Sequence, residues 1–154
     1  LFYFQRGESA SKSSLTLSVV DPARPAPLLK ARSEHPEPGF RRVQLSRHAV
    51  ALEPGVRYEW RVSLGAQGEG RSSDVFASGV IRYVEPSAEL ARALEAAPGK
   101  RAEIYAQHGI WYDALEEVSN RILEEPQNPE WKQARASLLE QIGLGRIAEK
   151  GAAR

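Results

Sequence analysis

The hydrophobic period changes once along this chain, at Pro86, and that change constrains the fold more than any other feature. Before Pro86 apolar residues recur at every second position; after it they recur at every third or fourth. The clearest strand is Val56 to Leu64, where Val56, Tyr58, Trp60, Val62 and Leu64 alternate with Arg57, Glu59, Arg61 and Ser63. Leu15, Leu17 and Val19 repeat the pattern in Ser14–Val20, which ends at the turn pair Asp21-Pro22. Val43 and Leu45 give a shorter version between Gly39 and His48. Val75–Val84 is rich in β-branched and aromatic residues, and turn-type sequence precedes it. Leu1–Gln5 and Leu28–Arg32 complete six short strands separated by Pro, Gly and Ser clusters, a pattern that predicts an antiparallel sandwich over residues 1–86.

One local motif sharpens that expectation. Leu52-Glu53-Pro54-Gly55-Val56-Arg57-Tyr58 resembles the E–F corner of fibronectin type III and related immunoglobulin-like sandwiches. The resemblance implies a tyrosine hydroxyl hydrogen-bonded to backbone a few residues upstream. Such a corner is a folding device and carries no chemistry.

The second part, residues 87–154, reads as a helical segment packed on the first. Ser87 suits an N-cap, Glu89 lies in the first turn, and Leu90, Leu94 and Ala97 follow at helical spacing. Pro98-Gly99 breaks that helix, and Lys100–Gln107 forms a second that Gly109 ends. Trp111, Ala114, Leu115, Val118 and Ile122 then share one face, opposite Asp113, Glu116, Glu117 and Asn120. Trp131, Ala134, Leu138 and Ile142 mark a fourth helix, stopped by Gly143.

Tyr105, Gly109, Ala114 and Pro126 sit at the relative spacing of a tetratricopeptide repeat, with Arg121 where that repeat usually has alanine. One such hairpin cannot form a stable array, so its apolar face must be buried elsewhere. A longer resemblance runs through Ser72–Pro86 (SSDVFASGVIRYVEP), Tyr105-Ala106 and Gly109-Ile110-Trp111-Tyr112-Asp113-Ala114-Leu115. It continues through Leu138-Leu139, Ile142-Gly143-Leu144 and Ile147-Ala148. In these blocks and their order the chain is similar to the bacterial domain-of-unknown-function family 928. That resemblance implies an exported protein, periplasmic or secreted, and implies no mechanism.

Composition removes several function classes. The 154 residues carry 21 Lys and Arg against 20 Asp and Glu, which argues against a strongly basic nucleic-acid binder and an acidic tail. The absence of cysteine excludes disulfides, thiolate zinc sites and a cysteine nucleophile. No apolar run approaches the roughly 18 residues a membrane span requires. A chain that opens Leu1-Phe2-Tyr3-Phe4 without methionine reads as a fragment or processed product, with any signal peptide upstream.

Catalytic patterns are equally scarce. His35, His48 and His108 lack the i, i+4 spacing of a helical metal site and read as surface or capping residues. A triad is defined in space, and Asp21, Asp74 and Asp113 are its available aspartates, yet no Gly-x-Ser-x-Gly elbow accompanies them. Gly65–Gly70 lacks a P-loop's Lys-Ser/Thr ending and reads as a hairpin turn. Glu116-Glu117 and Glu124-Glu125 are sequence neighbours on a helix, read here as solvated surface. Arg41, Arg42, Arg47 and His48 form a small basic cluster of the kind a wet strand face carries. No cofactor or metal is expected.

Trp111, Tyr112 and Asp113 stand out as a candidate interface. Successive helical residues point about 100° apart, so with Trp111 inward Tyr112 turns toward a flank, where aromatics commonly anchor partners. The expected function is a non-catalytic extracytoplasmic protein that binds another envelope protein. The alternative is a carbohydrate or cell-wall module, and a hydrolase is third. An exposed apolar patch near Tyr112 or along Val75–Val84 favours the first, a row of aromatics on a concave face the second, and a pocket with converging His, Ser or carboxylate groups the third.

Overall fold

The computed structural model describes residues 2–5, 13–34, 39–66 and 75–145, and its architecture is α+β. The chain divides into two compact units, Leu1–Glu85 and Pro86–Arg154.

In the first unit six strands follow one another: β1 (Phe2–Gln5), β2 (Ser13–Val20), β3 (Leu29–Glu34), β4 (Gly39–Arg42), β5 (Arg57–Ala66) and β6 (Val75–Arg82). β3, β2, β5 and β6 form a four-stranded antiparallel sheet in that order, and β1 pairs with β4 in a separate ladder. The six strands thus form one four-stranded sheet and a two-stranded pair, and no sandwich is shown among the described residues. The two-stranded pair arises because β1 and β4 flank the β2–β3 hairpin in sequence and pair with each other.

Directly opposed residues in antiparallel strands share a face, so the register assigns both faces of the sheet. Leu29, Val19, Trp60 and Gly79 form one cross-sheet row, and Ala31, Leu17, Val62 and Ala77 form the next. Leu15, Leu17, Val19, Leu29, Tyr58, Val62 and Ile81 on this face are all buried. The period-two pattern of β5 thus locates the core, because its apolar positions meet those of β2 across the ladder.

The corner before β5 forms as the motif implied. The Glu53 backbone N–H donates to the Tyr58 hydroxyl at 2.9 Å, and Tyr58 is 1% exposed. That bond satisfies a phenol whose ring is buried, a contribution of about 1 kcal/mol. Arg24 braces the same corner, reaching Glu53 at 2.7 Å and Asp21 at 3.1 Å. Both Arg24 and Glu53 are largely exposed, so their pair adds little stability. Asp21 also accepts the Ala23 backbone N–H at 2.9 Å, which closes the turn after β2.

Val43 and Leu45 are not in a strand. β4 ends at Arg42, and Leu45–His48 is a short 3-10 turn closed by Arg47 N–H to Gln44 and Ala49 N–H to Ser46. Apolar alternation over so few residues also suits a tight turn, and the local hydrogen bonds decide the outcome.

The second unit holds α1 (Ala88–Ala96), α2 (Arg101–Gln107), α3 (Trp111–Glu124) and α4 (Pro129–Gln141). Ser87 caps α1, its hydroxyl accepting the Leu90 N–H at 3.1 Å. A 3-10 turn at Pro98–Lys100 separates α1 from α2. Gly109, at a φ of 71°, reverses the chain between α2 and α3 in a conformation that side chains resist. Ala114, Leu115 and Val118 of α3 are almost fully buried. In α4 the buried pair is Leu138 and Leu139, whereas Ile142, expected on the inner face, is 48% exposed. The helix ends at Gln141, so Ile142 falls beyond its last turn, and the Leu144 N–H closes back on the Leu139 carbonyl.

Candidate functional site

Three regions collect side chains with the means to recognise a partner. The first is the start of α3. Trp111 and Tyr112 meet edge to face, with ring centroids 5.2 Å apart at 84°. The Trp111 indole N–H donates to the Leu138 carbonyl of α4 at 3.0 Å. Trp111 is thus a strut between α3 and α4, and its half-buried ring supports Tyr112. Tyr112 is itself half-buried, and Asp113 is exposed. Desolvation by the surrounding helix surface raises the Asp113 pKa above the ordinary carboxylate value, and the Glu116 and Glu117 charges add to the rise.

The second region is a shallow cleft lined by Pro98, Gly99, Arg101, Glu117, Arg121 and Trp131. Arg101 donates to Glu117 at 2.9 Å and to the Tyr105 hydroxyl at 2.9 Å, tying α2 to α3. Arg121 lies 5.8 Å from the Trp131 ring centroid and 3.3 Å from Glu124. Glu125 accepts from Asn128 at 2.8 Å and from the Trp131 indole at 3.2 Å, and those two bonds lower its pKa. Glu124 and Glu125 are exposed, as a solvated surface requires. Two of the four glutamates also act as fasteners: Glu117 joins two helices, and Glu125 fixes the start of α4. No local spacing signals the first of these, because Arg101 and Glu117 meet only when the hairpin closes. The cleft has a volume of about 10 Å³, far below that of a small-molecule pocket, and its charges already serve each other.

The third region is the edge strand β6 and the residues just after it. Among the described residues β6 pairs with β5 alone. Its outward positions, Phe76, Ser78, Val80 and Arg82, are all exposed, and Phe76 reaches 66%. Tyr83 and Val84 continue the apolar run, at 43% and 48% exposure. On the same face of β5 stand Arg57, Glu59 and Arg61, and the Arg61 guanidinium lies 5.6 Å from the Phe76 ring centroid.

The inward side of β6 is built differently. Gly79 sits under the Trp60 indole, where an added Cβ would come within 2.7 Å of the ring. The Trp60 ring nitrogen is buried there without a hydrogen-bond partner, an uncommon arrangement that costs about 1–3 kcal/mol.

Several of the described residues screened for catalysis take structural roles or stand exposed. Asp21 is occupied by its turn, His108 closes the end of α2 through its backbone N–H, and His48 is exposed in the 3-10 turn. Arg41 and Arg42 lie in β4, whereas Arg47 is exposed in the turn after it. His35, Asp74 and most of the Gly65–Gly70 turn lie outside the described residues. Among the described residues no three His, Cys, Asp or Glu side chains gather as a metal site, and no helix is long and apolar enough to cross a membrane.

No curated protein matches the chain. A family model described as Domain of Unknown Function (DUF928) matches residues 2–152, from the first strand through the last helix. With that match spanning both units, the chain belongs to the DUF928 family.

Proposed function

We propose that this chain is a non-catalytic protein-binding module that acts outside the cytoplasm. The observation that carries the reading is the run of large apolar side chains left in water at Phe76, Val80, Tyr83 and Val84. Single exposed apolar residues are ordinary, but Phe76 and Val80 on an edge strand, with Tyr83 and Val84 just past its end, support a partner surface here. Tyr112, supported by Trp111 and next to Asp113, offers a second contact region on the helical unit. The carbohydrate alternative calls for a row of aromatics on a concave face, and Tyr58, on the inner face of the sheet, is buried.

The finer fold readings belong to this proposal. The Tyr58 corner supports an immunoglobulin-like ancestry for the sheet. The reversal at Gly109 and the buried Ala114 support a tetratricopeptide-type packing of α2 on α3. The extracytoplasmic site rests on the resemblance of the sequence blocks to exported bacterial proteins.

Site-specific photo-cross-linking in the living bacterium tests the reading. A benzophenone side chain placed at Phe76 or Tyr112 is expected to give discrete protein adducts, with the same probe at Lys30 as control. No adduct from either position, or equal adducts from all three, would contradict the proposal. Adducts that appear only with cytoplasmic proteins would remove the extracytoplasmic part.

A further inference from the structure

The β6 surface has a chemistry as well as a shape. Arg57 and Arg82 stand directly opposite each other across the β5–β6 ladder, and both are exposed. Like charges at directly opposed positions are destabilising, and neither arginine forms a salt bridge among the described residues. Arg61 completes a row of three guanidinium groups on this face, against one carboxylate, Glu59. Arg82 shares β6 with Phe76 and Val80, Arg57 and Arg61 stand behind them on β5, and Arg61 caps one side of the Phe76 ring. The surface is therefore apolar along most of β6 and cationic at its end and behind it.

We infer that the free edge of β6 receives an extended acidic segment of a partner protein as a fifth strand. This rests on the protein-binding reading and names the chemistry of the partner at that site. Strand addition supplies main-chain hydrogen bonds along the edge, and alternate side chains supply specificity. An added strand lies about 5 Å from β6 and about 10 Å from β5. Apolar side chains of the guest then cover Phe76 and Val80. Its carboxylates reach Arg82 directly, and Arg57 and Arg61 across the intervening strand. Arg57 and Arg82 thereby gain a salt-bridge partner that they lack among the described residues. The inward side of β6 admits such a neighbour easily, because Ala77 and Gly79 are small.

The opposite edge shows why the guest is directed to β6. β3 presents Lys30, Arg32 and Glu34 on the same face, and Arg32 and Glu34 bind each other at 2.7 Å. Charged outward side chains are the usual device that keeps an edge from pairing. β6 carries apolar or small residues at Phe76, Ser78 and Val80, with a charge only at its end.

A random twelve-residue peptide library selected against the full chain tests this inference. Enriched peptides are expected to carry their apolar and acidic residues together at every second position, the set that shares the outer face with Phe76, Val80 and Arg82. Synthetic copies should bind at least tenfold more weakly to Arg57→Glu/Arg82→Glu and to Phe76→Lys/Val80→Lys. All four positions are exposed, and circular dichroism checks that each variant is folded. N-methylation of alternate peptide amides should abolish binding if the guest is a strand, and added salt should weaken it. Enrichment of basic or uncharged peptides, no enrichment, or binding that survives these variants overturns the inference. So does a concentration-dependent dimer that Phe76→Lys dissolves, since the occupant is then a second copy of the chain. Cross-link adducts at Phe76 without acidic enrichment would leave the module reading standing and remove the acidic strand alone.

Discussion

The two edges of the four-stranded sheet share an inner face and differ on the outer one. Inside, Leu29 of β3 and Ile81 of β6 are both buried against the central strands. Outside, β3 carries Lys30, Arg32 and Glu34, whereas β6 carries Phe76, Ser78, Val80 and Arg82. An inner face must be apolar on either edge, because it is the core. An outer face has no such obligation, so its composition records what the edge must avoid or accept. β3 is built to stay unpaired, and β6 is built to be paired.

The largest effect should come from the inner face of β6. Gly79→Val forces a side chain into the Trp60 indole and should cost about 3 kcal/mol, lowering the denaturation midpoint in urea. A near-unchanged midpoint would show that β6 does not pack as closely on β5 as the register requires. Leu29→Ala on the other edge should cost about 2 kcal/mol, the low end for a buried leucine because an edge site collapses more easily. A larger loss there than for Gly79→Val would reverse the ranking of the two inner rows. Tyr58→Phe removes the hydroxyl that holds Glu53 and should cost about 1 kcal/mol in thermal or chemical melts. The smallest stability effect, under about 0.5 kcal/mol, is expected for Phe76→Ala with Val80→Ala, since both side chains already stand in water. The converse exchange sharpens the contrast: Lys30→Val with Arg32→Phe should leave the melt nearly unchanged but turn β3 adhesive, visible as new self-association in sedimentation. A variant that stays monomeric would mean that charge is not what guards that edge.

Much of this contrast was hidden in the sequence, and the reason is physical. The strand at Val56–Leu64 is legible because its two faces differ, so period alone orients it. Val75–Arg82 alternates Val75, Ala77, Gly79 and Ile81 with Phe76, Ser78, Val80 and Arg82, and neither set is plainly the polar one. Only the pairing with β5 assigns Phe76 and Val80 to the wet face. Gly79 likewise reads as a weak point in a strand until the register places it under Trp60. The Tyr58 corner was legible because its partner lies five residues away. The bonds of Trp111 to Leu138 and Arg101 to Glu117 span 27 and 16 residues, and local spacing carries no record of such partners. The same limit explains the Trp111–Asp113 group. Helical geometry separates its three directions, but packing decides that Trp111 turns to α4.

Amide hydrogen exchange on the full chain, with and without a selected acidic peptide at saturating concentration, tests the claim about the two edges most directly. The account predicts new protection confined to β6 and the β5 residues behind it, with β3 amides exchanging as before. Protection on β3, on α3 alone, or nowhere despite measured binding would contradict it.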